Sequence, residues 1–166
     1  MNGPILSIIT VNFNNNLGLL KTLESVSSQS FSSYEHIIID AGSTDGSRET
    51  IIQYEKENPH LSFWSSESDK GIYDGMNKGI DHAKGQYLYF LNSGDCLSQD
   101  ILAKIPFDGT EYLYGDTILF YKRKTKKRVY PDTLDLIYLS DNSLHHQSCF
   151  IHHTLFKDKR YDINYK

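Results

Sequence analysis

The chain opens on an apolar, β-branched run, Ile5-Leu6-Ser7-Ile8-Ile9-Thr10-Val11, that breaks at once into polar Asn12-Phe13-Asn14-Asn15-Asn16. Such a run bounded by a turn cluster predicts a buried strand. Leu17, Leu20, Leu23 and Ser27 follow at helical spacing, with Asn14 to Asn16 as N-cap candidates. His36-Ile37-Ile38-Ile39-Asp40 is a second apolar strand. Ala41-Gly42-Ser43-Thr44-Asp45-Gly46-Ser47 closes it and leads into a helix carrying Ile51, Ile52 and Tyr54, with Asp45 placed to cap it. Strand, helix, strand, helix is the pattern of a parallel sheet.

Leu61-Ser62-Phe63-Trp64 predicts a third strand, and Ile72, Met76, Ile80 and Ala83 a third helix, ended by Gly85 in the C′ position. A fourth strand, Gln86-Tyr87-Leu88-Tyr89-Phe90-Leu91, runs straight into Asn92-Ser93-Gly94-Asp95. A short helix is expected over 99–105. Tyr112 to Tyr121 with Val129-Tyr130 predicts a hairpin tipped by Lys122-Arg123-Lys124-Thr125-Lys126-Lys127-Arg128. In an open α/β sheet ligands meet the C-terminal strand ends, so three polar clusters converge there: Asn12 to Asn14, Asp40 to Asp45 and Asn92 to Asp95. The fold class is α/β, with a Rossmann-like, mostly parallel central sheet flanked by helices.

Composition narrows the function classes. The 166 residues fit one domain, and 39% hydrophobic content with 21 aromatics excludes global disorder. No apolar stretch approaches the roughly 18 residues of a spanning helix, and the first residues lack a signal-peptide pattern, so the expected location is the cytoplasm. Cys96 and Cys149 have neither framework nor CxxC spacing and read as free thiols. Six of the 17 basic residues lie in the run 122–128, leaving 11 basic against 21 acidic residues, or −10, elsewhere. An acidic body with one basic patch speaks against nucleic acid as partner. The patch is either a solvated loop or a contact with the anionic inner face of the membrane.

Asp40, at a strand end, can accept from a base or ribose hydroxyl, or serve as a turn acid. Asp95 can meet a divalent cation that also takes phosphate oxygens, or belong to an ordinary Gly-Asp turn. Lys70, in Glu67 to Asp74 ahead of the third helix, can meet a phosphate or remain a solvated part of the cap. His145, His146, His152 and His153 lack a zinc pattern, and one of them touching substrate is the stronger reading. The absence of GxGxxG, GxxxxGK[ST] and GxSxG removes the main support for dinucleotide reductases, P-loop enzymes and α/β-hydrolases.

Four segments in order, Ser7 to Asn14, Ile39 to Ser47, Gly71 to Ile80 and Phe90 to Asp95, resemble the N-terminal domain of family 2 glycosyltransferases with the GT-A fold, especially the bacterial branch that builds capsular and exopolysaccharides of colanic-acid type. The likeness covers about residues 5 to 150. It implies a single GT-A domain over 1–166, with a nucleotide-binding part at about 5–100 and the start of an acceptor part at about 101–166. It also implies transfer of a sugar, with inversion, from a nucleoside diphosphate sugar, with UDP preferred, to a glycan or lipid-linked glycan hydroxyl. By position, Phe13 resembles the aromatic near the nucleobase, with Thr10, Val11 and Asn12 the strand end beside it. Asp40 resembles the acid at the base, and Lys70 a basic nucleotide contact. Asn92, Ser93 and Asp95 stand where the family has an Asp-x-Asp-Asp run, so binding of Mg²⁺ or Mn²⁺ rests on Asp95. His146 and Gln147 are acceptor-side candidates, and the family's catalytic base is expected beyond Lys166, which leaves a catalytically weak nucleotide-sugar-binding module as the alternative. A sugar nucleotidyltransferase would carry a Gly- and Arg-rich loop where Asn12 to Asn16 stand.

Overall fold

A computed structural model describes residues 3–122 and 124–165; Arg123 of the basic run lies outside them. Strand β1 (Leu6–Asn12) leads into helix α1 (Asn16–Ser27), β2 (Tyr34–Asp40), α2 (Ser47–Glu57), β3 (Leu61–Ser66), α3 (Ile72–His82) and β4 (Tyr87–Phe90). After a 3₁₀ turn come β5 (Tyr112–Tyr114), β6 (Thr117–Tyr121), β7 (Lys124–Arg128), the short α4 (Leu136–Asp141) and β8 (Cys149–His152). The central sheet has the order β3-β2-β1-β4-β8-β5. Its first four strands are parallel, and β8 runs antiparallel to β4.

Strand alternation divides the core between two helical layers. Ile9, Val11, Ile37, Ile39, Leu88 and Phe90 point toward Met76 and Ile80 of α3. On the opposite face Ile38 packs with Leu19 and Leu23 of α1 and Ile51 and Tyr54 of α2, while Leu6, Ile8, Tyr87 and Tyr89 form the rest of the core with Val26 and Phe150. Strands covered on both faces read as continuous apolar runs, which is why β1, β2 and β4 were legible.

Four local expectations are corrected. Leu17 and Leu20 do not face the core: they are exposed, and the buried stripe of α1 is Leu19, Thr22, Leu23 and Val26. Gly85 is not a C′ cap, since α3 ends at His82; a Cβ there would stand 2.5 Å from the backbone nitrogen of Ser7, so the chain needs glycine to pass close to β1. The Gly85 N–H donates to Ser7 Oγ at 2.8 Å and that hydroxyl donates to buried Glu35 at 2.7 Å. The segment 99–105 forms only a 3₁₀ turn at Leu102–Lys104. Finally, Tyr112–Tyr114 joins the central sheet, so the hairpin is β6 with β7, and Lys124–Arg128 is its second strand rather than its tip.

An apolar reading of β2 also conceals a polar network. His36 is fully buried, with Nε2 2.9 Å from Thr10 Oγ1 and Nδ1 3.1 Å from Tyr54 OH. Burial lowers its pKa from 6.5 to about 3. The folded ring stays neutral where the unfolded one titrates, so the stability it contributes is complete above pH 6.5 and is lost as pH falls toward 3. Urea melts are expected to show a loss of about 2 kcal/mol between pH 7 and pH 5, above the range of the carboxylates. His36→Gln, which can still hydrogen-bond both neighbours, is expected to flatten that slope. An unchanged slope would assign the loss to another group.

Candidate functional site

Three strand-end turns are knitted together at the C-terminal edge of β1, β2 and β4. Asn12 Nδ2 donates to Asp40 Oδ1 at 2.7 Å and to Ser43 Oγ at 3.2 Å. The Asn14 N–H donates to Ser43 Oγ at 2.8 Å, and Asn14 Oδ1 accepts from the Thr44 N–H at 2.8 Å. Those bonds hold Asn14 in the left-handed region, with φ of 46°. Asn15 caps α1, accepting from the Gly18 N–H, while its amide donates to the Ser93 carbonyl at 2.9 Å. Asp45 accepts from the N–H groups of Asn16 and Ser47 and from the Ser47 hydroxyl, tying the starts of α1 and α2.

Asp40 is the anchor of this assembly. Its carboxylate accepts from Asn12, from the Ser43 N–H and hydroxyl, and from the Ser66 hydroxyl, and the residue is fully buried. Burial alone would raise its pKa, but the hydrogen bonds from Ser43, Ser66 and Asn12 outweigh it and hold the carboxyl below 3.8. Its contribution to stability is therefore present above 3.8 and is lost as pH falls through the lower folded value.

The turn after β4 is fixed by α1. Buried Thr22 accepts from the Gly94 N–H at 2.9 Å and donates to the Asp95 carbonyl at 2.7 Å. Gly94 sits at φ of 102°, where a side chain would be strained. Asp95 is left half-buried with Oδ2 accepting from Gln147 Nε2 at 2.9 Å. Beside it, Asn92 Nδ2 lies 3.1 Å from His146 Nε2. With the amide donating, the ring proton sits on Nδ1. Burial lowers the pKa of His146, partly countered by Asp95, so the ring is neutral at neutral pH. Tyr89 OH donates to the Gln147 carbonyl at 2.7 Å and fixes the 146–148 turn against the sheet.

The structure thus brings Asn12, Asp40, Asn92, Ser93, Asp95, His146 and Gln147 onto one rim, with Phe13 exposed beside them. Lys70 is exposed on the loop after β3, which packs on the Asp40 turn through the Glu67 N–H and Asp40 carbonyl at 3.0 Å. Two candidates are turned away. The side chain of Thr10 is buried against His36, and that of Val11 packs under α3, so only their backbones reach the rim. The Val11 carbonyl accepts from the Ser93 N–H at 3.0 Å. Sequence reasoning missed Thr22, Ser43 and Ser66, whose only signal is a hydroxyl in a stretch already explained as helix, turn or strand. At the far side, Asn77 of α3 exchanges two hydrogen bonds with the Tyr161 backbone, both 2.9 Å.

Among the described residues no group of three or more His, Cys, Asp or Glu side chains is gathered to hold a metal ion. The oxygens present nevertheless suit a hard cation that shares its shell with water and substrate. Asp95 offers a carboxylate, and Asn92 Oδ1 is buried without a hydrogen-bond partner. No helix among the described residues is long and apolar enough to cross a membrane.

Comparison with known proteins bears on the family and the fold. A family model described as Glycosyl transferase family 2 matches residues 7–154. Over 103 residues the chain is 42% identical to Rv1514c, an uncharacterized glycosyltransferase of Mycobacterium tuberculosis, a match covering 61% of this chain and 38% of that protein. It is 37% identical over 101 residues to TuaG of Bacillus subtilis, named as a teichuronic acid biosynthesis glycosyltransferase, covering 61% and 40%. These matches span about two fifths of the relatives' length. Among solved structures, S. aureus TarS superposes on 96% of this chain and 30% of its own with a TM-score of 0.70 at 19% identity. The mannosyltransferase PcManGT of Pyrobaculum calidifontis, solved with GDP-Man and Mn²⁺, superposes on 61% and 30% with a TM-score of 0.56 at 18% identity. Both are likenesses of fold, and the fold is GT-A.

Proposed function

Since the chain belongs to glycosyl transferase family 2, we propose that it moves a sugar from a nucleoside diphosphate sugar, with uridine as the base, to a hydroxyl of a glycan or lipid-linked glycan, with inversion, in the building of a cell-surface polymer. The observation that supports this reading is the 2.9 Å bond from Gln147 to Asp95, because it joins the turn after β4 to a segment 52 residues away. The teichuronic acid assignment of TuaG supports a cell-surface polymer.

In this reading residues from about 5 to 100 form the donor side and those from about 101 onward the acceptor side. Phe13 stacks on the base, and the Asn12–Asp40–Ser43 cluster shapes the seat of base and ribose. Asp40 acts through the donors it holds, since its own oxygens are engaged. Lys70 reaches the diphosphate as a point charge. Asp95 and the Asn92 amide oxygen would hold Mg²⁺ or Mn²⁺, which when bound offsets the charge that builds on the leaving diphosphate. Gln147 keeps the Asp95 carboxylate oriented, and neutral His146 lines the acceptor side. The acceptor hydroxyl needs a base for its proton, and none of the residues gathered here is assigned that role.

The single carboxylate in the 92–95 turn favours one second reading, a module that binds donor and turns it over slowly. Calorimetric titration of UDP, GDP and dTDP, with and without Mn²⁺, combined with donor hydrolysis, separates the two. UDP is expected to bind most tightly, more so with Mn²⁺, and UDP-sugar to be cleaved. Tight binding without cleavage would select the binding module, and no binding of any diphosphate would overturn both.

A further inference from the structure

The hairpin of β6 and β7 stands outside the central sheet and carries Lys124–Arg128 of the basic run as its second strand. Side chains of paired residues share a face. Ile118 and Phe120 therefore lie with Lys127 and Thr125, while Leu119 and Tyr121 lie with Lys126 and Lys124. Both faces carry exposed side chains, although Thr117 and Leu119 are half-buried: Phe120 is 80% exposed and Tyr121 59%, and Lys122, Lys124 and Lys126 are exposed as well. Among the described residues of the run only Lys127 meets a carboxylate, that of Asp116 at 2.7 Å. Arg128 lies over the Tyr130 ring at 5.6 Å and donates to Asn142 at 3.3 Å, which ties the base of the hairpin to the end of α4. That helix buries none of its residues and exposes Leu136 (86%) and Ile137 (77%).

We propose that this hairpin with α4 is a docking surface for an anionic lipid bilayer. Lysines alone would suit any polyanion, including an acidic glycan. Large aliphatic and aromatic side chains among them favour a surface that takes both, with headgroup charge outside and acyl chains beneath. The rest of the chain carries −10 against the six basic residues of this run, so the charge asymmetry favours an approach to a negative membrane with this face first. The surface leads into the rim already described: Tyr130 follows β7, its hydroxyl accepts from the His145 N–H at 3.1 Å, and His146 is the next residue. A docked chain would thus hold its acceptor side close to the bilayer. That consequence rests on the proposed transfer reaction; docking itself does not.

The test is sedimentation of the chain with vesicles of phosphatidylcholine alone and of phosphatidylcholine rich in phosphatidylglycerol, at low and high salt. Binding is expected only to the anionic vesicles and to weaken with salt. The triple variant Lys122→Glu, Lys124→Glu, Lys126→Glu is expected to lose roughly 100-fold in partitioning, and Ile118→Ser with Phe120→Ser about 10-fold, with unchanged melting and unchanged diphosphate binding. Equal binding to neutral and anionic vesicles, or no effect of charge reversal, would overturn the proposal. So would apolar variants that bind undiminished while dextran sulfate displaces the chain, because the surface would then be a polyanion site. Since vesicle binding is read without donor or acceptor, its failure leaves the transfer reading standing.

Discussion

Asp40→Ala is expected to lower the unfolding free energy by about 4 kcal/mol, because four donated hydrogen bonds lose a buried, charged acceptor at once. The donors concerned are the Asn12 amide, the Ser43 N–H and hydroxyl, and the Ser66 hydroxyl. As a donor only Asn12 keeps another acceptor, the Ser43 hydroxyl. The loss should propagate to the rim, since Ser43 also accepts from the Asn14 N–H and so helps to hold Asn14 at positive φ. Below the melting temperature of the variant, diphosphate affinity is therefore expected to fall at least about 10-fold, the upper end of what one ordinary hydrogen bond is worth. Urea unfolding and calorimetric titration of the same preparation read the two effects. Asp40→Asn restores bulk but puts an amide N–H among donors, so it is expected to rescue little of either. An Asp40→Ala chain that melts normally and loses only affinity would identify Asp40 as a direct ligand contact instead of an anchor.

The same residue illustrates what was legible along the chain and what was not. Apolar runs ending in polar turns located β1, β2 and β4 and the rim to which their ends contribute, because burial on both faces leaves an uninterrupted hydrophobic signal. The stripe of α1 was misread because Leu17, Leu20 and Leu23 recur every three residues, whereas the face that packs includes Thr22, whose hydroxyl is wanted by the Gly94 and Asp95 backbone. His36 was hidden for the opposite reason, since a histidine inside an isoleucine run looks like a tolerated exception until Thr10 and Tyr54 are found on either side of its ring. The hairpin was drawn one strand too long, because nothing local marks that Tyr112–Tyr114 pairs with β8. Likewise, Asp95 and Gln147 were each nominated, but their contact across 52 residues depends on how β8 lies against β4.

That contact underlies the second large effect. Asp95→Ala is expected to reduce sugar transfer on the order of 10³-fold, the scale of losing one electrostatic stabiliser of a developing negative charge. Fold should be little affected: Asp95 is half-buried, its main-chain bonds to Thr22 and Asn92 survive the substitution, and only the Gln147 amide is left unpaired. The comparison with Asp95→Asn is the more informative, because an amide oxygen can still accept from Gln147 while carrying no charge. If charge is what the diphosphate side requires, Asn fails nearly as badly as Ala, and Mn²⁺ no longer tightens UDP binding in either variant. If Asp95 serves only to hold the 146–148 turn, Asn restores activity, and Gln147→Ala costs as much as Asp95→Ala. Under the charge reading Gln147→Ala should be milder, on the order of 10-fold, since the carboxylate remains and loses only its orientation. Metal-dependent UDP affinity, measured alongside turnover, decides between them: it should vanish with Asp95 and persist, weakened, without Gln147.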